Sequence, residues 1–129
     1  MRIRAKRNQR GECRDSVKLY IPETGAEISI GTEYDVHAIS FYKGIIFLQI
    51  VDDLRYPSWY PSTLFEVTNL DCPRDWLCSF FSNIESDDTL VIGPQFIAED
   101  NAAYSSMVER EVDQVTRFWD RIAGISEVS

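Results

Sequence analysis

Hydrophobic and polar positions alternate with a period of two through much of the first half of the chain, the pattern of strands that bury one face. Val17-Lys18-Leu19-Tyr20 alternates and stops at Pro22, with Thr24-Gly25 as a turn. Glu27-Ile28-Ser29-Ile30 alternates next, and Gly31-Thr32 breaks the chain. The run from Glu33 to Phe41 places Tyr34, Val36 and Ala38 on one strand face, and Lys43-Gly44 predicts a hairpin turn. Ile45 to Val51 is rich in β-branched and aromatic residues and reads as a central strand ended by Asp52-Asp53. Pro57 and Pro61 flank Trp59-Tyr60; proline donates no ladder hydrogen bond, so this piece is an edge, a bulge or a one-turn connector. Leu64 to Thr68 closes the series as a fifth short strand.

Beyond Thr68 the texture changes. Asn69 to Asp75 is a polar connection, Trp76 to Phe81 a sixth strand with Cys78 at a core position, Ser82 to Asp88 a loop, and Thr89 to Ile92 a seventh strand stopped by Gly93-Pro94. The period then becomes helical. Val108, Val112, Val115, Trp119 and Ile122 recur at steps of four and three, Asp113 and Arg117 stand at i,i+4 on the outer side, and Gly124 suits a helix end. The expected fold class is α+β: a small β-barrel of about five strands, additional C-terminal strands, and a C-terminal amphipathic helix packed on the barrel. Residues 1–129 form one domain, 1–68 the barrel and 69–129 the extension.

Three stretches carry a resemblance. Lys18-Leu19-Tyr20, the acidic alternating segment Glu27 to Val36 with its Gly31 turn, and Tyr60-Pro61-Ser62-Thr63-Leu64-Phe65 resemble, in order, segments of an SH3-type barrel, whose last strand follows a Pro-Ser one-turn helix. The likeness covers residues 17–68 and implies an SH3-like fold. Leu64 stands where that family places a groove tyrosine, and Phe47-Leu48-Gln49 where paired tryptophans are expected, so recognition of proline-rich peptides by the usual groove is not implied. In overall style the chain is similar to small bacterial immunity proteins.

Composition sets the class. With 129 residues, 44% hydrophobic and 26% charged, the chain is an ordinary folded domain able to bury a core without disulfides. No apolar run approaches the roughly 20 residues of a membrane span, and no apolar segment follows the N-terminal arginines, so a cytoplasmic protein with no membrane association is expected.

Charge is uneven. Residues 1–14 carry six basic side chains against Glu12, a net of +5, and residues 15–129 carry seven basic against twenty acidic, a net of −13. The basic segment is either a first strand, since Ile3 and Ala5 alternate with Arg2, Arg4 and Lys6, its arginines pairing with the acidic body, or an arm for nucleic acid. The acidic body repels phosphates and attracts basic proteins.

Catalytic machinery is not apparent in the sequence. His37 is the single histidine, with Asp35 two residues away on the same strand face; Cys13, Cys72 and Cys78 lack metal-knuckle spacing; Asp52-Asp53 and Asp87-Asp88 fit turns better than chelation. The expectation is a non-enzyme with no cofactor and no metal. Tyr56-Pro57-Ser58-Trp59-Tyr60-Pro61 concentrates rigid amphipathic side chains of the kind found at binding hot spots. The candidate partner-binding residues are Asp52, Asp53, Tyr56, Trp59, Tyr60, Glu66, Asp87 and Asp88. The leading expectation is a protein-interaction module for a basic protein, such as a nuclease toxin neutralised by an immunity protein; the alternative is nucleic-acid binding through residues 1–14.

Overall fold

The computed structural model describes residues 1–11, 13–83 and 86–98. Its strands are β1 (Arg2–Ala5), β2 (Glu33–Asp35), β3 (Ala38–Tyr42), β4 (Ile45–Val51), β5 (Pro57–Pro61), β6 (Phe65–Asn69), β7 (Leu77–Asn83) and β8 (Ser86–Gly93). Two four-residue helices, α1 (Asp15–Lys18) and α2 (Gln95–Ala98), and a 3-10 turn over Ser62–Leu64 complete the described elements. All strand pairs are antiparallel. They form a three-stranded sheet, β2-β1-β6, and a five-stranded sheet, β5-β4-β3-β8-β7.

This corrects the α+β expectation: the described residues are organised by two antiparallel sheets, and no helix among them exceeds four residues. The stripe from Val108 to Ile122 falls in residues 99–129, outside the described residues.

β1 follows from its alternation. Ile3 and Ala5 point into the core while Arg2 and Arg4 lie on the exposed face, and the strand is central in its sheet, flanked by β2 and β6. The predicted strand at 17–20 is instead the end of the one-turn helix α1 and the turn that follows it. Val17 and Ile21, four apart, are both buried, whereas Leu19, which a strand would place beside Val17, is 81% exposed. An Asp15–Lys18 pair at 3.6 Å spans the turn. Residues 27–30 are irregular rather than a strand. The Asn8 amide donates to the Ile28 carbonyl and the Ser29 N–H to the Tyr34 hydroxyl, taking up groups a ladder would have used.

The run from Glu33 to Phe41 is broken in two. The Val36 N–H donates to the Met1 carbonyl, and the His37 N–H donates to the Gln49 carbonyl of the other sheet. The chain therefore changes sheets between consecutive residues, and a hydrophobic pattern that continues through the corner gives no sign of it. The Lys43-Gly44 hairpin is as predicted: φ is +51° and +75°, the left-handed pair that a two-residue turn needs to match strand twist. β5 lies at a sheet edge with a proline at each end. β7 runs to Asn83 and β8 begins at Ser86, so residues 82–83 and 86–88, expected in a loop, belong to strands, and Cys78, expected in the core, is exposed on β7.

The core lies between the sheets and the long β1–β2 connection. Ile3, Tyr34, Leu64 and Phe65 meet Phe47, Leu48, Ile50 and Tyr60, with Val17, Ile21 and Ile28 filling one side. Tyr20 sets its ring edge-on to Phe47 at 4.9 Å. Ile3, Ile50 and Leu64 are fully buried, each contributing about 1.5–3 kcal/mol of transfer free energy.

Candidate functional site

Asp52 and Asp53 open the turn between β4 and β5, and their chemistry runs inward. Asp52 is buried. One carboxylate oxygen accepts the N–H groups of Leu54 and Tyr56, both at 3.1 Å, which is how an aspartate shapes a turn after itself. The other accepts the Ser58 hydroxyl at 2.8 Å and the Tyr60 hydroxyl at 3.1 Å. Asp53 accepts the Tyr34 and Ser29 hydroxyls, both at 2.7 Å, and its N–H donates to the Glu27 carbonyl at 2.9 Å.

The two tyrosines act alike. Tyr60 donates to Asp52 and accepts the Glu27 N–H at 3.3 Å; Tyr34 donates to Asp53 and accepts the Ser29 N–H at 2.8 Å. Two phenols thus clasp residues 27–29 to the β4–β5 turn. Burial raises the pKa of Tyr34 above the ordinary phenol value, and its bond and charge interaction with Asp53 raise it further, against the lowering effect of Ser29. The proton stays on Tyr34, where the bond to Asp53 needs it. Glu27, Ser29 and Tyr34 were not among the residues singled out from sequence. Their separations of 19 to 33 residues from their partners leave no local signal.

The candidate binding residues are thereby sorted. Asp52 and Tyr60 are buried and internally bonded, which corrects their assignment to a surface patch. Asp53 is exposed as a residue, yet both carboxylate oxygens serve the clasp. Tyr56 is exposed, Trp59 half-buried, and Pro57, Ser58 and Pro61 buried, so the aromatic cluster of 56–61 mostly packs inward. Glu66 is exposed and pairs with Arg4 at 3.2 Å. Asp87 and Asp88 fall within β8, and their side chains lie outside the described set.

Part of the basic segment is built into the fold. Arg2 pairs with Asp35 at 3.1 Å, Arg4 with Glu33 at 3.3 Å as well as with Glu66, and Arg10 with Glu23 at 3.8 Å. Residues 1–83 carry ten basic side chains against eleven acidic, a net of −1, and residues 84–129 three against ten, a net of −7. The acidic surplus therefore belongs to the last third of the chain. His37 is half-buried, and desolvation pushes its pKa below the ordinary imidazole value, outweighing the opposing charge of Asp35. Among the described residues there is no cluster of three or more histidine, cysteine or acidic side chains arranged for a metal. No helix among them is long and apolar enough to cross a membrane.

One surface feature has no precedent in the sequence pattern. Ile46 on β4 is directly opposite Phe41 on β3, Phe41 opposite Leu90 on β8, and Leu90 opposite Phe80 on β7. Directly opposed residues share a face. The result is an apolar row across four strands in which Ile46, Phe41 and Phe80 are exposed by 46, 47 and 63%. It draws on four separate strands, so only their register reveals it.

Compared with models of protein families, with characterised proteins and with solved structures, the chain matches none.

Proposed function

We propose that this chain is a non-catalytic protein-interaction module whose binding surface is an exposed apolar row at one end of the five-stranded sheet. The observation that carries the reading is the in-register row Ile46, Phe41, Leu90 and Phe80, because apolar side chains gathered on one exposed face mark association surfaces where scattered ones do not. The carboxylates and phenols most suited to acid–base work, on Asp52, Asp53, Tyr34 and Tyr60, are engaged in holding the β1–β2 connection. The acidic surplus of residues 84–129, which includes Asp87 and Asp88 on the strand that contributes Leu90, favours a basic protein as partner. A cationic toxin neutralised in the cytoplasm by a bacterial immunity protein is a partner of that kind.

The nucleic-acid alternative is less favoured, since Arg2, Arg4 and Arg10 already face Asp35, Glu33, Glu66 and Glu23.

The test is calorimetric titration of the full chain, at two salt concentrations, with any cationic protein that its gene neighbourhood encodes. Binding that weakens with salt, and that Phe41→Ser or Ile46→Ser weakens by about 30-fold as expected of hot-spot residues, supports the reading. Absence of binding, or binding that neither variant moves, overturns it. Duplex DNA bound through Lys6, Arg7 and Arg14 would establish the alternative instead.

A further inference from the structure

Sheet edges expose unpaired backbone donors and acceptors, and folded proteins protect them with prolines, charges or short strands. Three of the four edges here are protected. β5 has Pro57 and Pro61 at its ends, β2 is three residues long and carries Glu33 and Asp35, and β6 carries Glu66. β7 carries neither proline nor charge: Leu77-Cys78-Ser79-Phe80-Phe81-Ser82-Asn83 has none, no charged residue occurs from Trp76 to Ile84, and its one irregularity is a register shift against β8 between Phe81 and Asn83, beyond Phe80. Among the described residues its outer side has no strand partner. Cys78 and Phe80 are exposed on it.

We propose that β7 is a homophilic pairing edge, through which two copies of the chain join β7 to β7 antiparallel about Phe80. The occupant is a second copy because the strand complements itself. An uncharged segment paired with its own image opposes no like charges, and a two-fold contact closes at two subunits without leaving an edge that recruits more. The register follows from the apolar row. It ends at Phe80, the outermost strand's contribution, and a two-fold axis there sets Phe80 opposite its counterpart. The row then runs unbroken from Ile46 of one copy to Ile46 of the other, and two five-stranded sheets become one of ten strands. The pairing shares Phe80 with the surface proposed above but needs no other protein, so the chain studied alone tests it separately from that reading.

Sedimentation velocity of the full chain alone, over a concentration series, tests the assembly. The expected result is a reversible monomer–dimer equilibrium whose dissociation constant rises at least about tenfold in Phe80→Lys, which sets two ammonium groups face to face. Leu70→Lys, at an exposed apolar residue off both sheets, leaves it unchanged. Circular dichroism checks that each variant folds, and Cys78→Lys on the same exposed strand replaces Phe80→Lys should the latter fail to. The register has its own readout. In a Cys72→Ser/Cys78→Ser background, Phe80→Cys gives an intermolecular disulfide on mild oxidation. The native Cys78 does not, since four residues of offset put it about 13 Å from its counterpart, beyond the roughly 7 Å limit. A protein that stays monomeric at the highest attainable concentration overturns the proposal. So does open-ended association, a dimer indifferent to the lysine variants, or a dimer that Phe80→Cys does not cross-link.

Discussion

Replacing Asp52 by alanine removes one carboxylate that serves four donors: the N–H groups of Leu54 and Tyr56 and the hydroxyls of Ser58 and Tyr60. A hydrogen bond to a charged group is worth about 1.5–3 kcal/mol. The four are not additive, because one group makes them all and because Leu54 and Tyr56 are exposed residues whose amides water can reach. The Ser58 and Tyr60 hydroxyls belong to buried residues and have less recourse to solvent. The expected loss is about 3–5 kcal/mol, from the Tyr60 hydroxyl left without its acceptor, the Ser58 hydroxyl left with only the Tyr56 carbonyl at 3.3 Å, each at about 1–3 kcal/mol, and the two weakened amide bonds. With a urea slope of about 2 kcal/mol per molar, the unfolding midpoint falls by about 1.5–2.5 M. Asp52→Asn keeps an oxygen for the two amides but turns an NH₂ toward the two hydroxyls, and Tyr60 already accepts from Glu27, so a loss of about 1–2 kcal/mol is expected. Asp52→Ala combined with Tyr60→Phe should lose less than the sum of the two alone. A midpoint shift below about 0.5 M for Asp52→Ala, or strict additivity in that cycle, would refute the account of the clasp.

Other consequences follow from the same geometry. The pKa of Tyr34 is raised in the folded state, so its contribution to stability is complete below the unfolded phenol value of about 10 and is lost as pH rises through the folded value; alkaline unfolding of Tyr34→Phe should show a weaker pH dependence there. His37 has the opposite sign: its folded pKa is lowered, so its contribution is complete above about 6.5 and is lost as pH falls through the folded value, and imidazole titration followed by NMR should give a midpoint below that of an unfolded peptide. A Cβ at Gly93 would lie 2.8 Å from the Ala38 Cβ, so Gly93→Ala should cost about 1–3 kcal/mol in thermal unfolding. Adding Ala38→Gly should restore part of that loss if the clash is its cause.

The local features were legible in sequence wherever a short-range rule decides them. The Lys43-Gly44 turn, the alternation of β1 and the exclusion of a proline-flanked piece from the inside of a sheet follow from backbone conformations and missing donors that no distant residue alters. The segment 17–20 misled because four residues with polar Lys18 between apolar neighbours fit both periods, and burial of Val17 and Ile21 against the core chose the helical one. The acidic pair misled in another way. Composition counts Asp52 and Asp53 as surface charge, while Ser58, Tyr60, Ser29 and Tyr34 converge on them from elsewhere in the chain.

By itself, then, the sequence determined the β character of the first half, its hairpin and the sign of the whole chain's net charge, since each rests on residues a few positions apart or on a sum over the chain. Only the tertiary structure decided where the strand after β2 leaves one sheet for the other, which carboxylates face inward, and how Ile46, Phe41, Leu90 and Phe80 line up. Those outcomes depend on register between strands and on which distant groups compete for the same hydrogen bonds, and both are settled by packing of the whole chain.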